Sequence, residues 1–351
     1  VSDGFKKVHS HPLPVMVKIP PMTTDTPIKA LVMLSGGLDS MLAASVLKAQ
    51  GIQVTGLCFE SPFFSAEKAR AAAAQVGIPL IIEDFTDDLV ALVEHPKHGF
   101  GANINPCIDC HAGMIRRAGT ILKRDGFHFV ATGEVLNQRP MSQTRKNLDV
   151  VAEESGLKDR LLRPLSAKLL PETEPERLGW IDRSRLLDLN GRGRKPQHKI
   201  AEGFGFTHIP PSAGGCKLTE PNYAEKVWDL RRNAQLKDLH AINLLRYGRH
   251  FRLSSKVKAV VGRDAPENSA LTSMAQAGDI LLNTTAAIPG PTVLVTGPAG
   301  EKELTVAAQL CARYSDVRTD PHVDIIVTSP AGNRTLTVVP ATDMDIERLK
   351  I

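Results

Sequence analysis

Leu31-Val-Met-Leu-Ser35-Gly36-Gly37-Leu38-Asp39-Ser40 decides how this chain is read. An apolar run stops at Ser-Gly-Gly and an amphipathic pattern starts at Asp39, which describes a buried strand, a tight turn and a helix. Glycine at the turn lets the backbone come close to a ligand. Ser35, Asp39 and Ser40 then fall at or beside a helix N-terminus, where free N–H groups and the helix dipole favour an anion. Ser-Gly-Gly alone would equally suit an ordinary junction with a Ser/Asp cap. The six-residue string Ser35–Ser40 is far more specific.

Working outward, residues 28–34 read as a strand, and Met41 to Gln50 continue the helix until Gly51 ends it. Val54 to Phe59 read as a strand, Ala66 to Val76 as an Ala-rich helix and Leu80 to Ile82 as a third strand. This alternation predicts an α/β fold with a doubly wound, mostly parallel sheet. Ligands on such sheets bind beyond the carboxyl ends of the strands. That rim collects Ser35–Ser40, Cys58-Phe59, and the end of a strand over Phe127–Thr132, with Gly133, Asn137, Gln138, Ser142 and Gln143 beyond it. Cys58, ending a strand, also reads as a small buried hydrophobe.

Regularity breaks at a long loop, 95–111, that runs through Asn105-Pro106 into Cys107-Ile-Asp-Cys110-His111. Cys107 lies near a helix start, where the dipole favours a thiolate. Asn190-Gly-Arg192-Gly-Arg194-Lys195 is short, Gly-laced and basic. It reads either as a solvated loop or as a loop contacting RNA phosphates. Pro210 to Lys217 is another turn-rich loop and carries Cys216. After Pro221 the pattern changes to a helix over 222–232, short strands between 250 and 339, and one strong helix, Glu301–Arg313. We therefore expect a flexible tail over 1–27, an α/β domain over 28–220 and a smaller α+β domain over 221–351.

The composition is that of a globular protein, with 42% hydrophobic and 23% charged residues. No apolar run approaches the ~20 residues of a membrane span, and no secretory h-region opens the chain, so a cytoplasmic protein without a membrane partner is expected. The net charge of +5 permits a nucleic-acid partner without requiring one. Five cysteines, an odd count, argue for a reducing compartment and against a disulfide scaffold. Cys107, Cys110 and Cys216 lie in loops or at a helix start, and three chemistries suit them. With His111 they would make a Cys3His zinc site. Alone they would hold three irons of a 4Fe–4S cluster. As free thiols, one would carry a persulfide and another resolve it.

Ser35–Ser40 resembles the PP-loop of the ATP pyrophosphatases, which split ATP into AMP and pyrophosphate to adenylate a substrate oxygen. It is no Walker A loop, since no Gly-Lys-Ser/Thr follows. The resemblance implies ATP bound by Ser35, Gly36, Gly37, Leu38, Asp39 and Ser40 with Cys58, Phe59, Thr132 and Gly133, and Mg²⁺ supported by Asp39. Asn105 to His111 resembles a segment of the tRNA 2-thiouridylases, in which Cys110 falls on the first catalytic cysteine, Cys107 is extra, and Gly214-Gly215-Cys216 falls near the second. Val130 to Gln138 with Ser142-Gln143-Thr144, and Arg163-Pro164-Leu165, look more like tRNA 4-thiouridine synthetase. The three-cysteine arrangement is also similar to that of cluster-dependent tRNA thiolases.

Residues from about 250 to 345 resemble the NFACT-R RNA-binding module, on Phe251-Arg-Leu-Ser-Ser, Val260 to Asp264 with Asn268, and Ala307 to Ser315. Together these resemblances imply an ATP-dependent tRNA uridine sulfurtransferase making 2- or 4-thiouridine. Asp39, Cys107, Cys110 and Cys216 would be catalytic, and the cysteines would hold a 4Fe–4S cluster in preference to zinc. Its partners would be tRNA and a sulfur donor. Asn137, Gln138, Ser142, Gln143, Arg192, Arg194, Lys195 and Arg263 would face the RNA. The sequence departs from these families in showing no THUMP-like domain before the loop and no rhodanese-like domain after it. The rival readings are a persulfide thiolase without a cluster, another PP-loop synthetase or amidase, and a non-catalytic zinc-containing RNA-binding protein.

Overall fold

The computed structural model describes residues 27–211 and 216–351. The expected tail up to residue 26, and Gly214-Gly215 before the third cysteine, lie outside the described residues. The first unit runs β1 (Lys29–Met33), α1 (Leu38–Lys48), β2 (Gln53–Glu60), α2 (Glu67–Val76), β3 (Leu80–Asp84), α3 (Thr86–Glu94), α4 (Cys107–Asp125), β4 (Phe129–Thr132), α5 (Arg145–Ser155) and β5 (Leu161–Leu162). Its strands pair in the order β3-β2-β1-β4-β5, every pair parallel. β1 is central and buried on both faces: Leu31 packs into one hydrophobic cluster while Ala30 and Val32 pack into the other. That two-sided burial is why β1 reads as a continuous apolar run. The strand order turns back on itself at β1, with β2 on one side and β4 on the other. The crevice at this reversal is where a doubly wound sheet takes its ligand, and the loops after β1 and β4 both open into it.

The chain continues with α6 (Glu174–Arg177), α7 (Lys195–Gly203), α8 (Pro221–Arg232) and α9 (Leu239–Leu244). It then builds a second unit from β6 (Arg249–Arg252), β7 (Lys258–Val261), α10 (Ala265–Met274), β8 (Ile280–Thr284), β9 (Val293–Thr296), α11 (Glu301–Arg313), β10 (Val323–Ser329), β11 (Gly332–Val338) and α12 (Asp343–Leu349). These six strands form an antiparallel sheet in the order β11-β10-β8-β9-β7-β6. Ala307, Ala308 and Cys311 of α11 pack into its core. The second unit is the expected small α+β domain.

Helices α3, α5 and α7 were not foreseen. Each buries only a narrow apolar stripe, such as Leu148, Val151 and Ala152 on α5, so the periodic signal is weak. Packing also treats 221–245 differently from the change in sequence character after Pro221. Tyr223, Val227, Leu230, Ile242 and Leu245 share one cluster with Phe59, Phe63, Phe85 and Ile115 of the first unit, and Arg246 donates to the carbonyl of Pro62. Strand–helix alternation ends near residue 220, but the first core continues through α9. Among the described residues, no helix is long and apolar enough to cross a membrane.

Candidate active site

The loop after β1 is shaped by what its glycines allow. Gly36 has φ +80°, and a Cβ there would lie 2.5 Å from the backbone carbon of Lys68, so only glycine fits the turn against α2. Gly37 is the N-cap of α1 and brings no side chain to cap it. Ser40 Oγ donates back to the Gly37 carbonyl at 2.8 Å. The first-turn N–H groups of α1 are thus left for a ligand, as an anion site requires.

The end of β4 closes against this loop. A Cβ at Gly133 would lie 2.5 Å from the Ser40 nitrogen, so the two backbones meet there only because neither carries a side chain at the contact. Beyond it, Gln138 donates its Nε2 to Asp39 Oδ2 at 2.7 Å. Gln197 of α7 in turn donates to Gln138 Oε1 at 2.9 Å, and Arg194 stands 3.9 Å from Asp39 Oδ2. Four buried polar atoms of this network have no partner: Asp39 Oδ1, Arg194 Nε, Gln143 Oε1 and Gln197 Oε1. Buried polar groups are nearly always satisfied. An unpartnered carboxylate oxygen and guanidinium N–H, side by side over an open helix N-terminus, fit a phosphate with its magnesium ion.

Sequence reasoning separated groups that the structure joins. Gln138 and Arg194 were assigned to RNA, yet both reach Asp39. The loop carrying Arg194 is drawn in by the loop after β4: Gly191 N donates to the Leu136 carbonyl at 2.8 Å, and Asn137 Nδ2 donates to Asn190 Oδ1 at 3.0 Å. Asn137, with φ +59°, makes the turn that allows this. Arg192 and Lys195 stay exposed. Leu38, Cys58 and Phe59 turn inward and are buried, so a nucleotide would meet them through their backbone. Burial pushes the Cys58 thiol up to about 11, with the Glu60 charge adding to it.

Glu134, one residue past Gly133, was not singled out. It is buried between Arg163, whose Nε donates at 2.8 Å, Thr132, whose Oγ1 donates at 3.0 Å, and His111, whose Nδ1 lies 3.3 Å away. Burial works against the charged carboxylate, but the Arg163 guanidinium and the His111 ring outweigh it and hold the group well below the usual carboxylate range. Glu134 therefore ties the end of β4 to the cysteine helix α4. Its visible signal was an acidic residue at a strand's carboxyl end beside Arg163-Pro164-Leu165.

The three cysteines converge. Cys107 opens α4, Cys110 follows within a turn, and Cys216 packs against the cluster that contains Cys110. Burial pushes all three thiols up: Cys110 well above its usual value, with the charges of Cys216 and Cys107 adding to it, and Cys216 to about 11. At Cys107, burial outweighs the hydrogen bond of Ser142 and the charge of Arg139, which favour the thiolate. The net shift at Cys107 is thus upward, opposite to the lowering expected at a helix start, with burial as its largest cause. Among the described residues, no three His, Cys, Asp or Glu groups stand close enough to share one metal ion. The Cys3His zinc set does not fit. Arg263, expected at the RNA, lies far along the chain and donates its Nε to Glu267 at 3.0 Å.

Fold and crevice together define a PP-loop-like parallel-sheet domain followed by a separate antiparallel-sheet domain. Residues 25–168 match the family model described as thiamine biosynthesis protein (ThiI), and residues 248–349 match the model described as NFACT protein RNA binding domain. An earlier stretch of the chain is thus similar to the ThiI model and a later stretch to the NFACT RNA-binding model. It is similar to the tRNA-specific 2-thiouridylase MnmA of Roseiflexus sp. (strain RS-1), with 27% identity over 59% of this chain and 62% of that protein. It is also similar to the probable tRNA sulfurtransferase of Anoxybacillus flavithermus, with 30% identity over 39% of this chain and 35% of that protein. A 4-thiouridine synthetase–RNA complex with bound ATP aligns at 22% identity and a TM-score of 0.33, covering 61% of this chain and 52% of that one. The chain spans about three fifths of the length of the Roseiflexus relative.

Proposed function

We propose that this protein is an ATP-dependent tRNA uridine sulfurtransferase. The observation that carries this reading is the Asp39–Gln138–Arg194 network at the loop after β1, with its buried polar atoms left without partners. Ser35 to Ser40 would bind the ATP phosphates, and Asp39 would hold magnesium, which neutralises phosphate charge. A uridine carbonyl oxygen attacks the α-phosphorus and pyrophosphate leaves. Catalysis at this step comes from positioning and charge neutralisation, which Arg194 is placed to supply as pyrophosphate departs. This takes Arg194 away from the RNA and gives it to ATP.

Sulfur then replaces AMP at the activated carbon. In the persulfide form, an outside persulfide donor passes its sulfane sulfur to one cysteine thiolate, and the donor's own thiolate leaves. The terminal sulfur attacks the carbon and AMP leaves. A second cysteine then attacks the sulfur–sulfur bond, leaving a thiocarbonyl on the uridine and a protein disulfide that a thiol reductant must reopen. Cys107, Cys110 and Cys216 would alternatively hold a 4Fe–4S cluster, whose open iron supplies a site for sulfide. Either form requires these thiols to lose the protons that burial retains, and metal binding would release those protons. The acceptor is tRNA, in keeping with the RNA-binding domain at 248–349 and with the relatives' names.

Mass spectrometry of tRNA nucleosides from cells with and without the protein tests the activity. Loss of 2-thiouridine or 4-thiouridine identifies the product, and an unchanged profile sinks the proposal. Anaerobic reconstitution with iron and sulfide tests the cluster: about four irons per chain, absent after Cys110→Ser, would support it, and an iron content near zero would leave the persulfide route.

A further inference from the structure

The charges of this chain are distributed unevenly. Residues 248–351 contain eleven Lys/Arg and eleven Asp/Glu, so the whole net charge of +5 comes from the residues before them. In that C-terminal unit Arg263, Arg313, Arg334 and Arg348 each meet a carboxylate of the same unit: Glu267, Asp343, Glu301 and Asp345. Lys256, Lys302, Arg318 and Lys350 are exposed without one among the described residues, and are scattered along the unit. At the crevice, free cations are gathered on two joined loops. Arg139 and Lys146, in and just after the loop that follows β4, and Arg192 and Lys195, in the loop leading into α7, are all exposed. None of these four side chains makes an ion pair or a hydrogen bond among the described residues; their neighbours that do are Arg145, paired with Asp149, and Arg194, facing Asp39.

The two loops are physically one surface. Leu136 pairs with Asn190 in a parallel bridge, the Gly191 N–H bonds to the Leu136 carbonyl, and Gln197 reaches Gln138. Between Arg139 and Lys146 stands Met141, 53% exposed. A Cβ placed at Gly101 would touch both Met141 Cε, at 4.0 Å, and Cys107 Cβ, at 3.7 Å, so this exposed thioether tip lies a side chain's width from the sulfur chemistry.

We infer that Arg139, Lys146, Arg192 and Lys195 form the surface that holds the RNA phosphates around the target nucleotide, with Met141 as the apolar contact for the base. The C-terminal unit, with no net charge, contributes the smaller share of the electrostatic grip. This rests on the proposed tRNA acceptor and says where that acceptor is held. Unpaired cations release counterions from RNA when they bind phosphates, whereas a cation already facing a carboxylate has less to gain. An apolar side chain beside the reacting thiol gives an unstacked base a surface to lie on.

The test is binding of total tRNA to the full chain, by fluorescence anisotropy between 50 and 200 mM salt, with thermal melts as the fold control. The variant Arg139→Ala/Lys146→Ala/Arg192→Ala/Lys195→Ala should lose about tenfold or more in affinity, and its log–log salt slope should fall by roughly 3. Arg263→Ala should stay within about twofold of the parent. If the quadruple variant melts early, Lys146→Glu/Lys195→Glu, on two exposed helix starts, should give the same loss. An unchanged affinity and slope in these variants, or a loss carried by Arg263→Ala instead, would overturn the inference while leaving the sulfurtransferase reading in place. A parent chain that binds no tRNA even at 50 mM salt would overturn both. Poly-glutamate competing as strongly as RNA of equal charge would mean the surface serves an acidic protein and would also overturn it.

Discussion

The mouth of the first sheet and the C-terminal unit handle polar groups in opposite ways. At the mouth, Asp39, Gln143, Arg194 and Gln197 each keep a buried atom without a partner, and four exposed cations stand free of any acid. In residues 248–351, four arginines meet carboxylates three, four, thirty or thirty-three residues away along the chain, and acids and bases balance to no net charge. Surface pairs of this kind contribute about 0–1 kcal/mol each, so they do little for stability, but each weakens the local field that would attract a polyanion. The attraction at a surface therefore depends on how charges are paired and gathered as well as on their count. A region whose buried polar groups are left unsatisfied is built for something that arrives later.

The largest effect that would break this comparison lies in the thiols. Cys216→Ser should lower tRNA thiolation by roughly a thousandfold or more while tRNA-dependent pyrophosphate release continues, since the Asp39 network is untouched. Measured with labelled ATP and thionucleoside analysis, a parallel loss of both activities would mean that the two sides of the crevice are not separate machines.

Glu134 sharpens the comparison from the other side, because with Arg163 it is a fully partnered buried charge in the mouth. Glu134→Gln leaves Arg163 buried without a counter-charge and should cost about 3–5 kcal/mol of stability, whereas Glu134→Met with Arg163→Met should recover most of it. The carboxyl is held below its ordinary value, so its stabilisation is complete above the unfolded carboxyl range and is lost as pH falls toward the folded value. Denaturant melts should therefore weaken below about pH 4 in the parent, and this part of the slope should vanish in Glu134→Gln. Equal acid sensitivity in both would refute the assignment.

Gly133→Ala comes next. Its Cβ would sit 2.5 Å from the Ser40 nitrogen, and because both sides are backbone, one loop must move. Restoring a normal contact takes about 1 Å of movement, and a misplacement of about that size at a reacting centre costs about a hundredfold, so pyrophosphate release should fall by roughly that much while the fold survives. Gly193→Ala, at a site with nothing within 4 Å, should change neither. Similar losses in the two variants would show that the close approach does not matter.

Some of this was legible in the residues and some was not, for physical reasons. The apolar run of β1, the glycines of the turn and the strand–helix alternation are local signals, and the parallel sheet followed from them. The three cysteines announced themselves by their positions in loops and at a helix start. Arg194 was legible as a basic loop residue, but its direction was not. Arg194 turns inward only because Asn190 and Gly191 pair with Leu136 and Asn137, more than fifty residues earlier. Glu134 and Arg163 were both in view, yet their pairing spans twenty-nine residues and no local pattern records it. Helices α8 and α9 looked like the start of a new domain because the alternation stops, while their apolar faces were completing the first core.

The smallest expected effect lies at the junction of the two regions. Lys258 of β7 is almost fully buried, with Nζ 3.7 Å from Asp229 Oδ2 of α8 and no hydrogen bond, while Arg252 takes the better position on that carboxylate, its Nε 3.0 Å from Oδ1. Burial lowers the Lys258 amine to about 7, against the pull of Asp229. The unfolded lysine keeps its proton to about 10.4, so between these values the unfolded chain binds more protons and stability rises with pH. Below pH 7 the penalty for a buried ammonium is fully present. His250, also buried and held well below its usual value by burial and by Lys258 and Lys226, acts in the same direction, but its window lies below pH 6.5. Melts from pH 7 to 9 isolate the lysines, of which Lys226, lowered by burial to about 8, is the second. Lys258→Met should raise the melting temperature at pH 7 and flatten the rise toward pH 9 without removing it, because Lys226 remains. Parallel curves for parent and variant would mean that Asp229 already offsets the burial of Lys258, and that the junction satisfies its charges as fully as the C-terminal unit does.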